Sequence, residues 1–369
     1  MDQLADELKL DRFEVRRRNL IQPDQFPYLR RGLLFADGLA VCYDSGDYPK
    51  ALDKIQDVID LPTFQKDRDI ARSEHRYLGL GLGFYVEGTG LGPYEGGLIK
   101  IHPITGKVYV STGLSGQGQG HKTVLAQIAA DQCGARVEDV IVVEGDTGSF
   151  GWGVATFASR AAVTSGNAVH KAALKAREQI IEAAANMLET KQTDIDLRDG
   201  KAWQKSKDRS VSLAEVATAS NPLRYAFNEA SKTATQFAPA SKHDGPALAE
   251  GQHPGIVATD WYSPPHAAWA YGIHAAIVEV DPELCSVAIK RYIVIHDCGK
   301  MINPMIVDGQ ILGGVAQGLG GALFERLEYD KDGVLQNPNF VDFLMPFATE
   351  VPNVELVHME TPSPLNPLG

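Results

Sequence analysis

A glycine-rich loop with two glutamines is the part of the sequence best suited to bind a ligand. It runs Thr112-Gly-Leu-Ser-Gly-Gln-Gly-Gln-Gly-His-Lys-Thr123. Glycines leave the backbone N–H groups open to a large ligand, and the amides of Gln117 and Gln119 offer both donors and acceptors. A strand-like run precedes the loop and a helix-like run follows it, an order that favours anion binding at the helix N-terminus. An ordinary tight turn explains the spacing of this loop equally well.

Two further segments combine glycines with polar side chains. They are Gly145-Asp-Thr-Gly-Ser-Phe-Gly-Trp-Gly-Val-Ala-Thr-Phe-Ala-Ser-Arg160 and Asp297-Cys-Gly-Lys-Met-Ile-Asn-Pro-Met-Ile-Val-Asp-Gly-Gln310. In the first, the hydroxyls of Thr156 and Ser159 and the nearby N–H groups suit a phosphate. Arg160 adds a charge-assisted donor, or instead forms a structural ion pair with Asp146 or Glu144.

The second of these segments also contains a cysteine that could be a nucleophile. His296 lies two residues before Cys298, so in a strand both side chains point to the same side. No neighbouring residue supplies a third partner or an oxyanion hole, and we interpret Cys298 as a buried, unreactive thiol. An unrelated enzyme built around Cys298 or His121 stays open as an alternative. The spacing of the histidines does not fit a zinc site.

Composition restricts the class of protein. The chain has 369 residues, 44% of them hydrophobic, which is enough for a sizeable core and two or three domains. A net charge of −12 argues against general binding to nucleic acid or to an anionic membrane. Four scattered cysteines form no disulfide or iron–sulfur pattern. No signal peptide or membrane-spanning run is evident, so the cytoplasm is the predicted location.

Hairpins and helices are the elements expected around these segments. Helices are predicted at residues 48–59 and 165–190, and hairpins at 98–111 and 274–292. Residues 61–76 are interpreted as a charged connector, and 192–254 as a loop-rich insertion with short elements. Each hairpin precedes a glycine-rich motif, which hints at an internal duplication.

Taken in order, the three motifs resemble the molybdenum hydroxylases, the xanthine dehydrogenase, aldehyde oxidase and carbon monoxide dehydrogenase family. The resemblance extends to Gly166-Asn-Ala-Val-His-Lys-Ala-Ala173 and Gly313-Gly-Val-Ala-Gln-Gly-Leu-Gly320, and so covers most of the chain. It implies an α+β molybdopterin-binding domain with mixed sheets and packed helices, incomplete at both ends. Residues 1–75 would be the end of a first molybdopterin-binding subdomain, and residues 76–369 a second one.

The resemblance also assigns cofactor contacts, but no catalytic residue and no metal ligand. In the glycine loop the contacts are Gly118, Gln119 and Gly120, with His121 capping the helix that follows. The other predicted contacts are Thr156, Phe157, Ala158, Ser159, Arg160, Ala161, Cys298, Lys300, Asn303 and Gln310.

The cofactor implied by the resemblance is molybdenum–molybdopterin, expected in its cytosine dinucleotide form. Such enzymes hydroxylate an aldehyde or an N-heteroaromatic carbon with oxygen from water, and 2Fe-2S clusters and FAD are expected on an iron–sulfur small subunit and a FAD-binding medium subunit. The family motif Lys-Gly-x-Gly-Glu, which carries the catalytic base, is not in this sequence. We therefore expect a portion of a large subunit that is inactive by itself. The alternative is a non-catalytic remnant or scaffold that binds partner subunits without molybdenum.

Overall fold

The computed structural model describes residues 1–36, 38–220, 226–228, 233–235 and 254–369. The helices are α1 (Asp2–Leu8), α2 (Arg12–Asn19), α3 (Tyr48–Ile59), α4 (Leu61–Ser73), α5 (His121–Cys133), α6 (Asn167–Met187), α7 (Leu213–Ala219) and α8 (Pro304–Leu323). The strands are β1 (Tyr28–Leu34), β2 (Ala40–Tyr43), β3 (Tyr77–Thr89), β4 (Glu95–Ile101), β5 (Val108–Thr112), β6 (Val140–Val143), β7 (Ile195–Arg198), β8 (Lys201–Gln204), β9 (Arg209–Ser212), β10 (Ala226–Asn228), β11 (Thr233–Thr235), β12 (Val257–Tyr262), β13 (Ala268–Asp281), β14 (Ser286–Asp297) and β15 (Val354–Met359). No helix in these ranges is long and apolar enough to cross a bilayer.

One compact unit contains residues 1–88, 268–365 and 369. Its main sheet has the strand order β15-β14-β13-β3, with β13 and β14 antiparallel and β14 and β15 parallel. One face of this sheet packs on α3 in a core that includes Leu52, Ile55 and Ile293. Val315 and Leu319 of α8 pack on Val294 of β14, so these two elements share a second, smaller cluster. The third sequence motif lies in this unit, between β14 and α8.

The second compact unit contains residues 89–267 and 366–368. Its main sheet has the order β12-β4-β5-β6, in which β4 is antiparallel to both neighbours and β5 is parallel to β6. Helix α6 crosses this sheet closely, since a Cβ on Gly97 would lie 2.7 Å from the backbone N of Val169. A smaller sheet, β7-β8-β9, belongs to the same unit. The first two sequence motifs lie here.

The two main sheets follow the same plan. In each, a hairpin is followed by a loop, a helix and a strand that pairs in parallel with the second hairpin strand: β4-β5-α5-β6 and β13-β14-α8-β15. Parallel pairing needs such a crossover, and a helix usually supplies it. The loop between hairpin and helix is a glycine-containing motif in both sheets. The topology therefore supports the internal duplication that the two hairpins indicated.

The structure confirms the two predicted helices, as α3 and α6, and both predicted hairpins. The connector predicted at 61–76 is wrong, because Leu61–Ser73 is helical. Short elements do occur in the predicted insertion, from β7 to β11, while 221–225, 229–232 and 236–253 lie outside the described residues.

Neither compact unit is continuous in sequence. Strand β3 belongs to the first unit, together with the N-terminal residues, because it pairs with β13 in the main sheet of that unit. A boundary between family subdomains at residue 75 stays a prediction.

Candidate functional site

The glycine loop joins β5 to α5, and Gly120 is the N-cap residue of that helix. Gly118 and Gly120 have φ values of 100° and 74°, in the region that favours glycine. The prediction that His121 caps the helix is wrong. His121 is instead the first helical residue, and its Nδ1 lies 3.2 Å from Oε2 of Glu144, just beyond β6. Its Nε2 is buried and has no hydrogen-bond partner in the described part of the chain.

Side-chain amides and a hydroxyl join this loop to the second motif. Gln117 donates from Nε2 to the carbonyl oxygen of Thr156 at 3.2 Å, and Thr156 Oγ1 donates to the carbonyl oxygen of Ser115 at 2.8 Å. Within the loop, the backbone N–H of Gln117 donates to Oε1 of Gln119 at 2.7 Å. The Thr156 hydroxyl, predicted to suit a phosphate, is thus already donating to the glycine loop. The two motifs form one connected surface in their unit.

Glycine is required where the two loops meet. A Cβ on Gly113 would lie 2.3 Å from Cα of Gly153, and the same distance separates a Cβ on Gly153 from Cα of Gly113. No side chain fits at that distance, so at this point the two loops meet backbone to backbone. The glycines of these motifs therefore fix the loop arrangement as well as exposing backbone.

Three residues of the second motif have left-handed backbone conformations without being glycine. Ala155, Ala158 and Ser159 have φ values of 65°, 47° and 50°. Such conformations are unfavourable for these residue types and cluster at ligand-binding sites. Among the described residues, no hydrogen bond uses the backbone N–H of Ala158 or Ser159, and both residues are exposed. The N–H groups of these two exposed residues therefore have no partner in the described part of the chain and are available to an anion.

The remaining residues predicted around this segment are Phe157 and Ala161. Phe157 is 47% exposed, and its ring lies under the guanidinium of Arg160, 5.0 Å from the carbon of that group. The carbonyl of Ala161 accepts from the N–H of Gly166 at 2.9 Å, within a single π-helical turn, Ala162–Gly166, that leads into α6. Turns of this kind occur frequently at functional sites.

Arg160 is fully buried, and its guanidinium faces the interior of the unit. It pairs with Glu95, which is also fully buried. The predicted partners are wrong: the carboxylate of Asp146 accepts from Ser149 and the N–H of Gly148, and Glu144 contacts His121. The Arg160 side chain thus supports the loop from inside, and it does not offer an exposed donor to a phosphate.

Sequence reasoning missed the pairing of Arg160 with Glu95. The available signal was a carboxylate at the start of the glycine-rich, mostly apolar strand Glu95–Ile101, where a charge needs a partner.

The third motif surrounds the start of α8 in the other unit. Asn303 is the N-cap residue of that helix, and its Oδ1 accepts from the N–H of Ile306 at 3.2 Å. Lys300 has an exposed side chain, and its backbone N–H donates to the carbonyl of Gly369 at 3.0 Å. Gln310 is exposed on α8. These residues remain predicted cofactor contacts.

Cys298 is exposed, so the prediction of a buried thiol is wrong. Desolvation by the surrounding protein, followed by the charge of Asp297, raises the pKa of the thiol to about 11. Burial lowers the pKa of His296 to about 4, and its Nδ1 lies 2.7 Å from the Tyr85 hydroxyl. At neutral pH the thiol is therefore protonated and the imidazole neutral. This combination does not activate a cysteine nucleophile.

No group of three or more His, Cys, Asp or Glu residues in the described ranges is arranged to hold a metal ion. What the second unit offers is a polar backbone surface at a helix N-terminus, with open space around Gly118. Exposed N–H groups, a glutamine pair and an unpartnered histidine nitrogen suit an anionic ligand that also carries hydrogen-bonding groups.

Comparison with known proteins identifies the family. The sequence model of the molybdopterin cofactor-binding domain matches residues 54–352. The chain is 36% identical to the nicotine 6-hydroxylase large subunit of Paenarthrobacter nicotinovorans and 33% identical to the carbon monoxide dehydrogenase large chain of Afipia carboxidovorans; the alignments cover all of this chain and 43% and 44% of those proteins.

Solved structures agree with the sequence comparison. Quinoline 2-oxidoreductase from Pseudomonas putida 86 superimposes with a TM-score of 0.82 and 34% identity, over 99% of this chain and 44% of that one. The chain spans less than half the length of the relatives that it matches. It belongs to the molybdopterin cofactor-binding domain family of the molybdenum hydroxylase large subunits.

Proposed function

We propose that this chain forms part of the cradle for a molybdenum–molybdopterin cofactor, in the cytosine dinucleotide form, within the large subunit of a molybdenum hydroxylase. The observation that carries the proposal is the connected pair of loops, residues 113–120 and 154–161, which presents backbone N–H groups beside the N-terminus of α5. A pterin dinucleotide has a pyrophosphate and a polar ring system, and these residues fit both. Phosphate oxygens accept from N–H groups, and the ring edge pairs with amides.

Specific residues have specific parts in this proposal. The backbone from Gly118 to Gly120 and the amide of Gln119 would contact polar groups of the cofactor. The N–H groups of Ala158 and Ser159, with the exposed Ser159 hydroxyl, would hold phosphate oxygens. When bound, the cofactor supplies the redox chemistry, while the protein supplies binding and orientation. An iron–sulfur small subunit and a FAD-binding medium subunit are the proposed partners.

For the substrate, we propose an N-heteroaromatic compound, hydroxylated at a ring carbon with oxygen from water. Support comes from two relatives named for such compounds, nicotine 6-hydroxylase and quinoline 2-oxidoreductase, which have identities of 36% and 34% to this chain. An aldehyde is the second candidate, because the resemblance of the sequence motifs implies either class of substrate.

The test is an oxygen-labelling assay on the complete large subunit purified with its partner subunits. Quinoline, nicotine and benzaldehyde are each supplied as substrate in water enriched in oxygen-18. The oxygen-18 content of the products is then measured by mass spectrometry. We expect labelled hydroxylated heteroaromatic product. If a molybdenum-loaded complex labels only benzaldehyde, or none of the three, the heteroaromatic assignment is wrong. A complex that forms with its partners but contains no molybdenum would favour the non-catalytic scaffold.

A further inference from the structure

We propose that the buried pair of Glu95 and Arg160 is a positioning device that fixes the ligand-binding backbone of residues 154–159. The inference rests on the proposed function, because it concerns how this chain holds a pterin dinucleotide. Neither residue would touch the cofactor, since both side chains are completely buried.

The guanidinium of Arg160 joins two separate stretches of backbone. Its Nε donates to the carbonyl of Leu91 at 2.8 Å, and Nη2 donates to the carbonyl of Pro93. Its Nη1 donates to Oε1 of Glu95 and, at 3.0 Å, to the carbonyl of Ala155. One planar cation therefore ties the residues before β4 to the second motif. Lysine has no such fork of donors.

Glu95 holds the same segment at its other end. Its Oε1 accepts from the backbone N–H of Val154 at 2.9 Å. The segment is thus anchored at Val154 and Ala155 and again at Arg160. Between these anchors lie Ala158 and Ser159, whose left-handed conformations persist only where the surroundings impose them. The pair is well placed to impose them.

Fold stability alone is a poor explanation for this pair. Removing two charges from water is costly, and an apolar pair of similar volume often leaves a fold as stable or more so. The network is also incomplete, because Oε2 of Glu95 is buried without a hydrogen-bond partner in the part of the chain described. An unsatisfied buried oxygen reduces what the pair contributes to the fold. Its distinctive contribution is directional: it sets where the N–H groups of residues 158 and 159 point.

The double variant Glu95→Met with Arg160→Met tests this in the complete large subunit purified with its partners. Two quantities are measured: cofactor nucleotide per large subunit, and the melting temperature of the cofactor-free protein from a host that cannot make the pterin. We expect nucleotide content to fall at least about tenfold at equal cofactor supply, a free-energy change of about 1.4 kcal/mol or more. We expect the cofactor-free double variant to fold with a lower melting temperature than the wild type, because the carbonyls of Leu91, Pro93 and Ala155 and the N–H of Val154 lose their partners. Its nucleotide content is therefore also compared with that of Ile180→Val, a buried change on α6 that removes none of these hydrogen bonds.

A double variant that folds and keeps its nucleotide within about twofold of the wild type would overturn the inference. If the double variant does not fold, Arg160→Lys is compared with Ile180→Val, a fully buried change on α6 in the same unit. If the two cofactor-free variants have similar melting temperatures, Arg160→Lys should retain less nucleotide than Ile180→Val. Equal losses of nucleotide from the two variants overturn the inference. A wild-type complex without pterin dinucleotide contradicts the proposed function itself, whereas a loaded wild type with loaded variants contradicts only the role of this pair.

Discussion

Gly113 and Gly153 show how closely single residues determine the binding surface. Each lacks the atom that would collide with the backbone of the other, and this absence brings the glycine loop against the second motif. The hydrogen bonds from Gln117 and Thr156 then hold the loops together. Packing and polar contacts therefore specify the same arrangement, which is what keeps a surface rigid before its ligand arrives.

Replacing Gly153 by alanine should separate the two loops. A Cβ at this position would lie 2.3 Å from Cα of Gly113, so backbone must move. We expect a loss of about 1–3 kcal/mol in stability and a lower cofactor content in the complete subunit, measured by thermal unfolding and nucleotide analysis. Gly151→Ala is the matched control two residues away, since its Cβ would have no heavy atom within 4 Å. If the two variants lose similar stability and similar cofactor content, the close approach of the two loops does not determine cofactor binding.

At the scale of elements, local pattern predicted most of the secondary structure around the site. The hairpins carry alternating apolar residues, and α6 carries a stripe of buried alanines with Val169 and Ile180. The periodicity of the apolar residues was therefore enough to identify these elements. Helix α4 was missed because only two of its residues, Phe64 and Ala71, are buried, and its charged surface resembles a connector. Its start is marked by Asp60, whose carboxylate accepts from the N–H of Thr63 at 3.4 Å.

Asp60 joins two helices, and replacing it should weaken both. It ends α3 with a φ of 53° and is also the N-cap residue of α4. Asp60→Ala removes the cap and puts a less tolerant residue in a left-handed conformation, so we expect a loss of about 1–2 kcal/mol. Asp60→Asn keeps a capping oxygen and tolerates the same φ, and should be close to wild type in thermal unfolding. A larger loss for asparagine than for alanine would contradict the capping assignment.

For the site, the sequence could indicate the loops but not the side chains that support them. Motif order indicated the segments that we predict to bind the cofactor, because glycines and amides are visible in the chain itself. The pairing of Arg160 with Glu95 joins residues 65 positions apart, and the contact of His121 with Glu144 joins residues 23 apart. Such pairings depend on how β4, β6, α5 and the second motif pack together in the folded unit, which no local spacing records. The nearer acidic residue, Asp146, was therefore the wrong choice for Arg160.

At the scale of the whole molecule, the fold uses one plan twice. Each unit has a hairpin, a glycine-containing loop, a helix and a parallel strand, and each places predicted cofactor contacts in the loop or helix after its hairpin. The family relationship explains why those loops are rich in glycine and polar groups. Because relatives are more than twice as long, the proposed activity concerns a complete large subunit, to which we propose that this chain contributes cofactor binding and orientation.

The most direct test of this account is to identify the nucleotide held by the complete large subunit. The complex is purified with its partner subunits, its molybdenum is quantified, and the cofactor pyrophosphate is hydrolysed to release the nucleoside monophosphate for chromatography. The account predicts cytidine monophosphate and molybdenum, each at about one per large subunit. An intact complex with neither would contradict it, and a different nucleotide would contradict the cytosine form alone.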